Sequence, residues 1–100
     1  LAALAPAGSG ADNGAKSKIV IKKLRHSGAS GKVTSEAASC EARRKVTLFR
    51  LDGFRSDKVK VTESDGQGDW RVKKDLEPGR YFAKVDSRSG CRYDVSRNER

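Results

Sequence analysis

A chain of 100 residues carries one small domain, and this one sets 22 Lys and Arg against 13 Asp and Glu, a formal net charge of +9. Only 35% of it is hydrophobic, so the core is small and the fold gains from a cross-link. One histidine and two cysteines with no CxxC pair exclude a zinc site built from His and Cys together, and no run is apolar for long enough to span a membrane as a helix.

Residues 1–17 are small, polar or glycine-containing and read as a flexible leader, with a single folded domain over 18–100. The leader lacks an initiator Met, and Ala5-Pro6-Ala7 follows small and apolar residues. That is the A-x-A pattern at the end of a secretory signal peptide; a plain Ala/Pro/Gly leader is the alternative. Residues 18–24 have a β-branched centre, Ile19-Val20-Ile21, and predict a first strand. Residues 26–31 read as a turn or linker, 32–35 as a short strand, and 37–44 as a loop or helical turn carrying Cys40. Residues 45–51 give the clearest central strand. Asp52-Gly53 is a hairpin signal, with 54–56 extending the loop. Residues 58–62 alternate cleanly as a strand.

The stretch 62–85 carries the most information. Asp65-Gly66-Gln67-Gly68 supplies an Asp that bonds its own backbone and two glycines free to take positive φ. Glu77-Pro78-Gly79 has the order of a type II turn. Around them Trp70 and Val72, then Tyr81, Ala83 and Val85, alternate at strand spacing with one face buried. Strands are expected near 69–74 and 80–86, and a last short one over 91–95. Strands at near-regular spacing, turn residues between them and no long helical periodicity predict an all-β fold, a small antiparallel sandwich of about seven strands.

The pattern Asp65-x-x-Gly68-x-Trp70-x-Val72, then Leu76-x-Pro78-Gly79-x-Tyr81-x-Ala83-x-Val85, resembles the carboxypeptidase regulatory-like domains, which are transthyretin-like (prealbumin-like), broadly Ig-like β-sandwiches. Gly31-Lys32-Val33-Thr34 looks like their first strand and 44–49 like their second, so the resemblance covers 31–95. Cys40 and Cys91 fall where the cysteine-bearing versions of exported bacterial proteins carry theirs. Such domains normally close on a final apolar strand, and Ser96-Arg97-Asn98-Glu99-Arg100 offers none. Either the chain stops short of it or the strand at 19–24 covers that edge. The resemblance implies an accessory, interaction or spacer module and brings no activity with it.

The two cysteines are read as one disulfide, Cys40 to Cys91, which with the leader points to a secreted or cell-envelope protein; two reduced thiols in the cytosol are the alternative. His26 sits in a Gly/Ser turn and reads as an exposed loop residue, so no catalytic constellation is expected and no enzyme activity. No cofactor or metal is expected: Asp65 and Asp69 form a turn, lacking the further oxygen ligands of a calcium loop. Phe49, Trp70 and Tyr81 lie on apolar stripes and are expected in the core. The positive charge alternates with apolar residues at Lys58, Lys60, Arg71, Lys73 and Lys84, while most acids lie at strand ends and turns. These five are the candidate polyanion-binding residues of a basic sheet face. The expected partner is an anionic cell-wall polymer or other domains of a parent protein; a small nucleic-acid-binding protein of the cytosol is the second reading.

Overall fold

The computed structural model describes residues 14–100, so residues 1–13 of the expected leader lie outside the described residues. Among the described residues seven strands form two antiparallel sheets: β1 (Ser17–Arg25), β2 (Gly28–Ser35), β3 (Lys45–Asp52), β4 (Arg55–Glu63), β5 (Asp69–Lys73), β6 (Arg80–Val85) and β7 (Asp94–Val95). One sheet runs β1-β2-β5 and the other β4-β3-β6-β7, a small β-sandwich. Pairing starts earlier than the expected boundary after residue 17: Ala15 bridges Cys91, and Ser17 opens β1. No helix among the described residues is long and apolar enough to cross a membrane.

The core is what the alternation predicts. Ile19, Val33, Trp70 and Val72 point inward from the first sheet, and Val46, Leu48, Tyr81, Ala83 and Val85 from the second, with Leu76 from the connection between them. Phe49 is a correction: it faces outward and stacks on Phe82, centroids 5.0 Å apart, because Leu48 before it takes the inward phase. Residues 28–31 are a second correction, forming the start of β2 instead of a linker. Only His26 and Ser27 remain as the turn. The small residues there are a packing requirement. A Cβ on Gly31 would lie 1.9 Å from the Val20 carbonyl oxygen and 2.7 Å from the Trp70 ring. Gly31→Ala should therefore destabilise the fold by about 1–3 kcal/mol, seen as a lower urea midpoint at unchanged slope; an unchanged midpoint would show that both the β1 backbone at Val20 and the Trp70 ring give way freely.

The turns follow their residues with two differences. Asp65 Oδ1 accepts the backbone N–H of Gln67 (2.8 Å) and of Asp69 (3.0 Å). Those bonds, Gln67 first, hold its carboxyl below the usual aspartate range. Their support is complete above that range and is lost as pH falls through the lowered pKa. Pro78-Gly79 is an open bend in place of a type II turn: Gly79 takes φ +155° where type II needs about +80°, and the Glu77 carbonyl accepts the Tyr81 hydroxyl at 2.5 Å. In the β3–β4 hairpin Asp52 pairs with Arg55, so Gly53 and Phe54 form a two-residue turn and residues 55 and 56 already belong to β4. Gly53 at φ +66°, followed by a residue without positive φ, fits type II′.

Where an apolar closing strand is expected, the polar segment 96–99 bonds to β6. Ser96 N–H bonds the Ala83 carbonyl and its Oγ accepts the Ala83 N–H, both at 2.8 Å. Tyr81 and Glu99 exchange both backbone bonds at 2.8 Å. The edge of β6 is thus satisfied by backbone, which no hydropathy pattern announces. β1, the alternative cover for this edge, lies in the other sheet.

At the opposite end a short 3-10 turn, Ala38–Cys40, brings Cys40 to disulfide distance of Cys91, with the Cα atoms 5.6 Å apart. Beside it Arg44 has no accessible surface. Its Nη1 donates to Ser17 Oγ (2.9 Å) and the Cys40 carbonyl (2.6 Å), and its Nη2 to the carbonyls of Asp86 (2.7 Å) and Arg92 (2.8 Å). Burial lowers the guanidinium pKa, Arg88 adds to this and Asp86 opposes it, yet the group stays charged at physiological pH. Arg88 in turn donates to the carbonyls of Ser39, Ala42 and Arg43, capping the turn that carries Cys40.

Candidate polyanion-binding face

The five cations singled out in the sequence do not share a face. Directly paired residues of antiparallel strands project to the same side of the sheet. Lys58 pairs with Phe49, and Lys84 with Thr47, so both sit on the outer face of the four-stranded sheet. Lys84 also lies over the Tyr93 ring, 5.7 Å from its centroid. Lys60 pairs with buried Leu48 and leaves the sandwich at the β4 edge. Arg71 and Lys73 alternate with buried Trp70 and Val72 and stand on the outer face of the three-stranded sheet.

That three-stranded face is where positive charge accumulates. Ser30 of the central strand pairs with Lys23 on one side and Arg71 on the other; Gly28 pairs with Arg25 and with Lys73. The result is two rails of cations, Lys23/Arg25 and Arg71/Lys73, flanking a floor of Gly28 and Ser30. The rails stand two strand spacings apart, roughly 10 Å, and along each rail the charges repeat every second residue, roughly 6.6 Å. Because Gly28 and Ser30 have almost no side chain, the floor is a shallow depression lined by all four cations. Lys18 and Lys32 continue the positive face, and Lys32 is 3.9 Å from Asp69, the acid in register with it. Among the described residues the ion pairs are Lys32–Asp69, Lys45–Asp86 and Arg55–Asp57, so none of the four rail cations is neutralised by a carboxylate within bonding distance.

A β-bulge puts Lys23 and Arg25 there. The register of β1 shifts between Ile21 and Lys23. Ile19 and Ile21 face the core before the shift and Leu24 after it. Without the extra residue Lys23 would point inward. The sequence holds a trace of this: in Ile19-Val20-Ile21-Lys22-Lys23-Leu24-Arg25 the apolar phase slips by one at the two lysines. Lys23 and Arg25 are recoverable from that slip only by knowing which strands pair; Lys18 and Lys32 follow the ordinary alternation of their strands.

His26 is exposed in the β1–β2 turn, where its carbonyl accepts the Leu76 N–H at 2.6 Å. Among the described residues no group of three or more His, Cys, Asp or Glu stands close enough to hold a metal ion. The Asp65 and Asp69 pair is engaged in the turn described above. Comparison of the chain with family models, with curated proteins and with solved structures gives no match.

Proposed function

We propose that the chain is a non-catalytic, disulfide-stapled binding module of the extracellular space or cell envelope, whose three-stranded sheet docks an extended anionic polymer. The observation that carries this reading is the pair of unneutralised rails, Lys23/Arg25 and Arg71/Lys73, across a floor without bulky side chains. A flat strip of that form takes a backbone of regularly repeated phosphates by several weak charge-assisted contacts. The cysteine pair at disulfide distance agrees with an oxidising compartment, and the resemblance of residues 31–95 to carboxypeptidase regulatory-like modules agrees with an accessory role. Arg71 and Lys73 keep the part read from the sequence. Lys58, Lys60 and Lys84 lie off the strip and are not needed for it.

The test is binding of the folded protein to purified wall teichoic acid against salt. Four phosphate contacts on a flexible polymer predict a slope of roughly −3 in log K against log salt, about sixtyfold weaker between 50 and 200 mM. Arg71→Glu with Lys73→Glu should abolish binding, whereas Lys58→Glu with Lys84→Glu should change it by less than about twofold. Equal losses from both pairs, or no binding near physiological salt, would remove the reading. Equal affinity for single-stranded DNA would make the strip a general polyanion surface and would favour the nucleic-acid reading.

A further inference from the structure

Phe54 stands fully in water, 109% exposed, at the tip of the β3–β4 hairpin. A two-residue turn that fits type II′ holds it there. An aromatic side chain kept in solvent on so short a support has no role in packing this fold. The other exposed large hydrophobic residues among those described, Val61, Tyr93 and Val95, belong to the same four-stranded sheet or its connecting loop. The cationic strip and the apolar surface are therefore on different sheets.

The hairpin has two chemically distinct sides. Asp52 pairs with Arg55 and Arg50 with Asp57, which places both acids and both arginines together on the core-facing side, Arg55 within 3.4 Å of Asp57. On the outward side Leu51 pairs with Ser56 and Arg80, and Phe49 with Lys58 and Phe82. Moving away from the tip, this side thus presents apolar groups on the central strand with a cation on each flanking strand, and no carboxylate at these pairings.

We propose that this tip and outward side dock on an anionic lipid surface, Phe54 entering the boundary between headgroups and acyl chains while Lys58 and Arg80 meet the lipid phosphates. One apolar anchor alone binds a bilayer only marginally, and a lasting attachment needs a second, electrostatic signal beside it. The hairpin supplies both within four residue pairs of its tip. A second copy of the chain is the poorer occupant, since apposing the two faces sets Lys58 and Arg80 against their own copies. A flat protein partner needs a broad complementary patch of about 800 Å², and a projecting tip does not offer one.

The proposal is independent of the polymer-binding strip, and the experiment keeps the two apart. Wild type, Phe54→Ser, the Lys58→Glu/Arg80→Glu pair and the Arg71→Glu/Lys73→Glu pair are sedimented with phosphatidylcholine vesicles, either pure or about one quarter phosphatidylglycerol. Each is also titrated with soluble polyphosphate. Phe54→Ser should weaken binding to anionic vesicles by roughly tenfold and leave polyphosphate binding unchanged. Lys58→Glu/Arg80→Glu should do the same, and a Phe54→Trp variant should blue-shift on anionic vesicles alone. Phe54 is fully exposed, so the folded state tolerates these changes. The proposal is overturned if wild type ignores anionic vesicles or if Phe54→Ser binds them as tightly as wild type. It is overturned too if Phe54→Ser instead abolishes a concentration-dependent dimer.

Discussion

Arg44→Met should lower the stability of the domain by about 3–4 kcal/mol, enough to shift thermal unfolding down by well over 10 °C in a fold of this size. The side chain is buried at the end of the sandwich where four segments meet: the start of β1, the turn bearing Cys40, the end of β6 and the loop after Cys91. Three of its four acceptors are backbone carbonyls. Methionine fills the space but leaves those carbonyls without a donor, and each orphaned acceptor costs about 1–3 kcal/mol. The relief of burying one charge fewer offsets part of this, since among the described residues Arg44 has no carboxylate within bonding distance. Arg44→Lys should recover little. It keeps the charge, but a single ammonium cannot reach acceptors spread around a planar fork. Urea unfolding followed by Trp70 fluorescence measures both. A loss below about 1 kcal/mol for Arg44→Met would mean that water enters and takes over the carbonyls.

The contrast between Arg44 and the strands shows what kind of information the chain exposes. Apolar residues at alternate positions in 69–73 and 80–85 specify both strand and buried face, and the structure places them accordingly. Glycine is ambiguous at the same level of reading. Gly53 and Gly68 serve turns at positive φ, whereas Gly31 is small because Trp70 and the Val20 carbonyl occupy the space beside it. Sequence alone assigns both uses to turns, and β2 is accordingly shortened to its last four residues. Charge is more ambiguous still. Arg44, Arg71 and Lys58 are all long cationic side chains in or beside expected strands. One is a buried clamp, one a rail of the cationic strip, and one flanks the stacked phenylalanines. What separates them is which strands become neighbours, a long-range fact that depends on a bulge in β1 and on a short 3-10 turn. The polar closing segment is hidden for a related reason: backbone groups satisfy the edge of β6, and every residue carries those.

Replacing Cys40 and Cys91 by serine should cost about 4 kcal/mol in the chain-entropy account, given the 51-residue separation of the pair. The loss should fall short of additive with that of Arg44→Met. The same side chain bonds the Cys40 carbonyl and the carbonyl of Arg92, one residue past Cys91. Disulfide and guanidinium therefore hold the same two segments together. Once the covalent link is gone those segments separate more readily, and part of what Arg44 contributes is already lost. A double-mutant cycle should give a coupling of about 0.5–3 kcal/mol between the two sites. Strict additivity would mean that the segments stay docked through other contacts, such as the Arg88 cap. The polymer binding proposed for the cationic strip should survive the serine variant wherever it remains folded, because Lys23 lies six residues along β1 from Ser17, roughly 20 Å from the cross-linked end. Alkylation of denatured, unreduced protein should likewise give no adducts. Two adducts on freshly isolated protein would place the chain in a reducing compartment and favour the cytosolic, nucleic-acid reading of its charge.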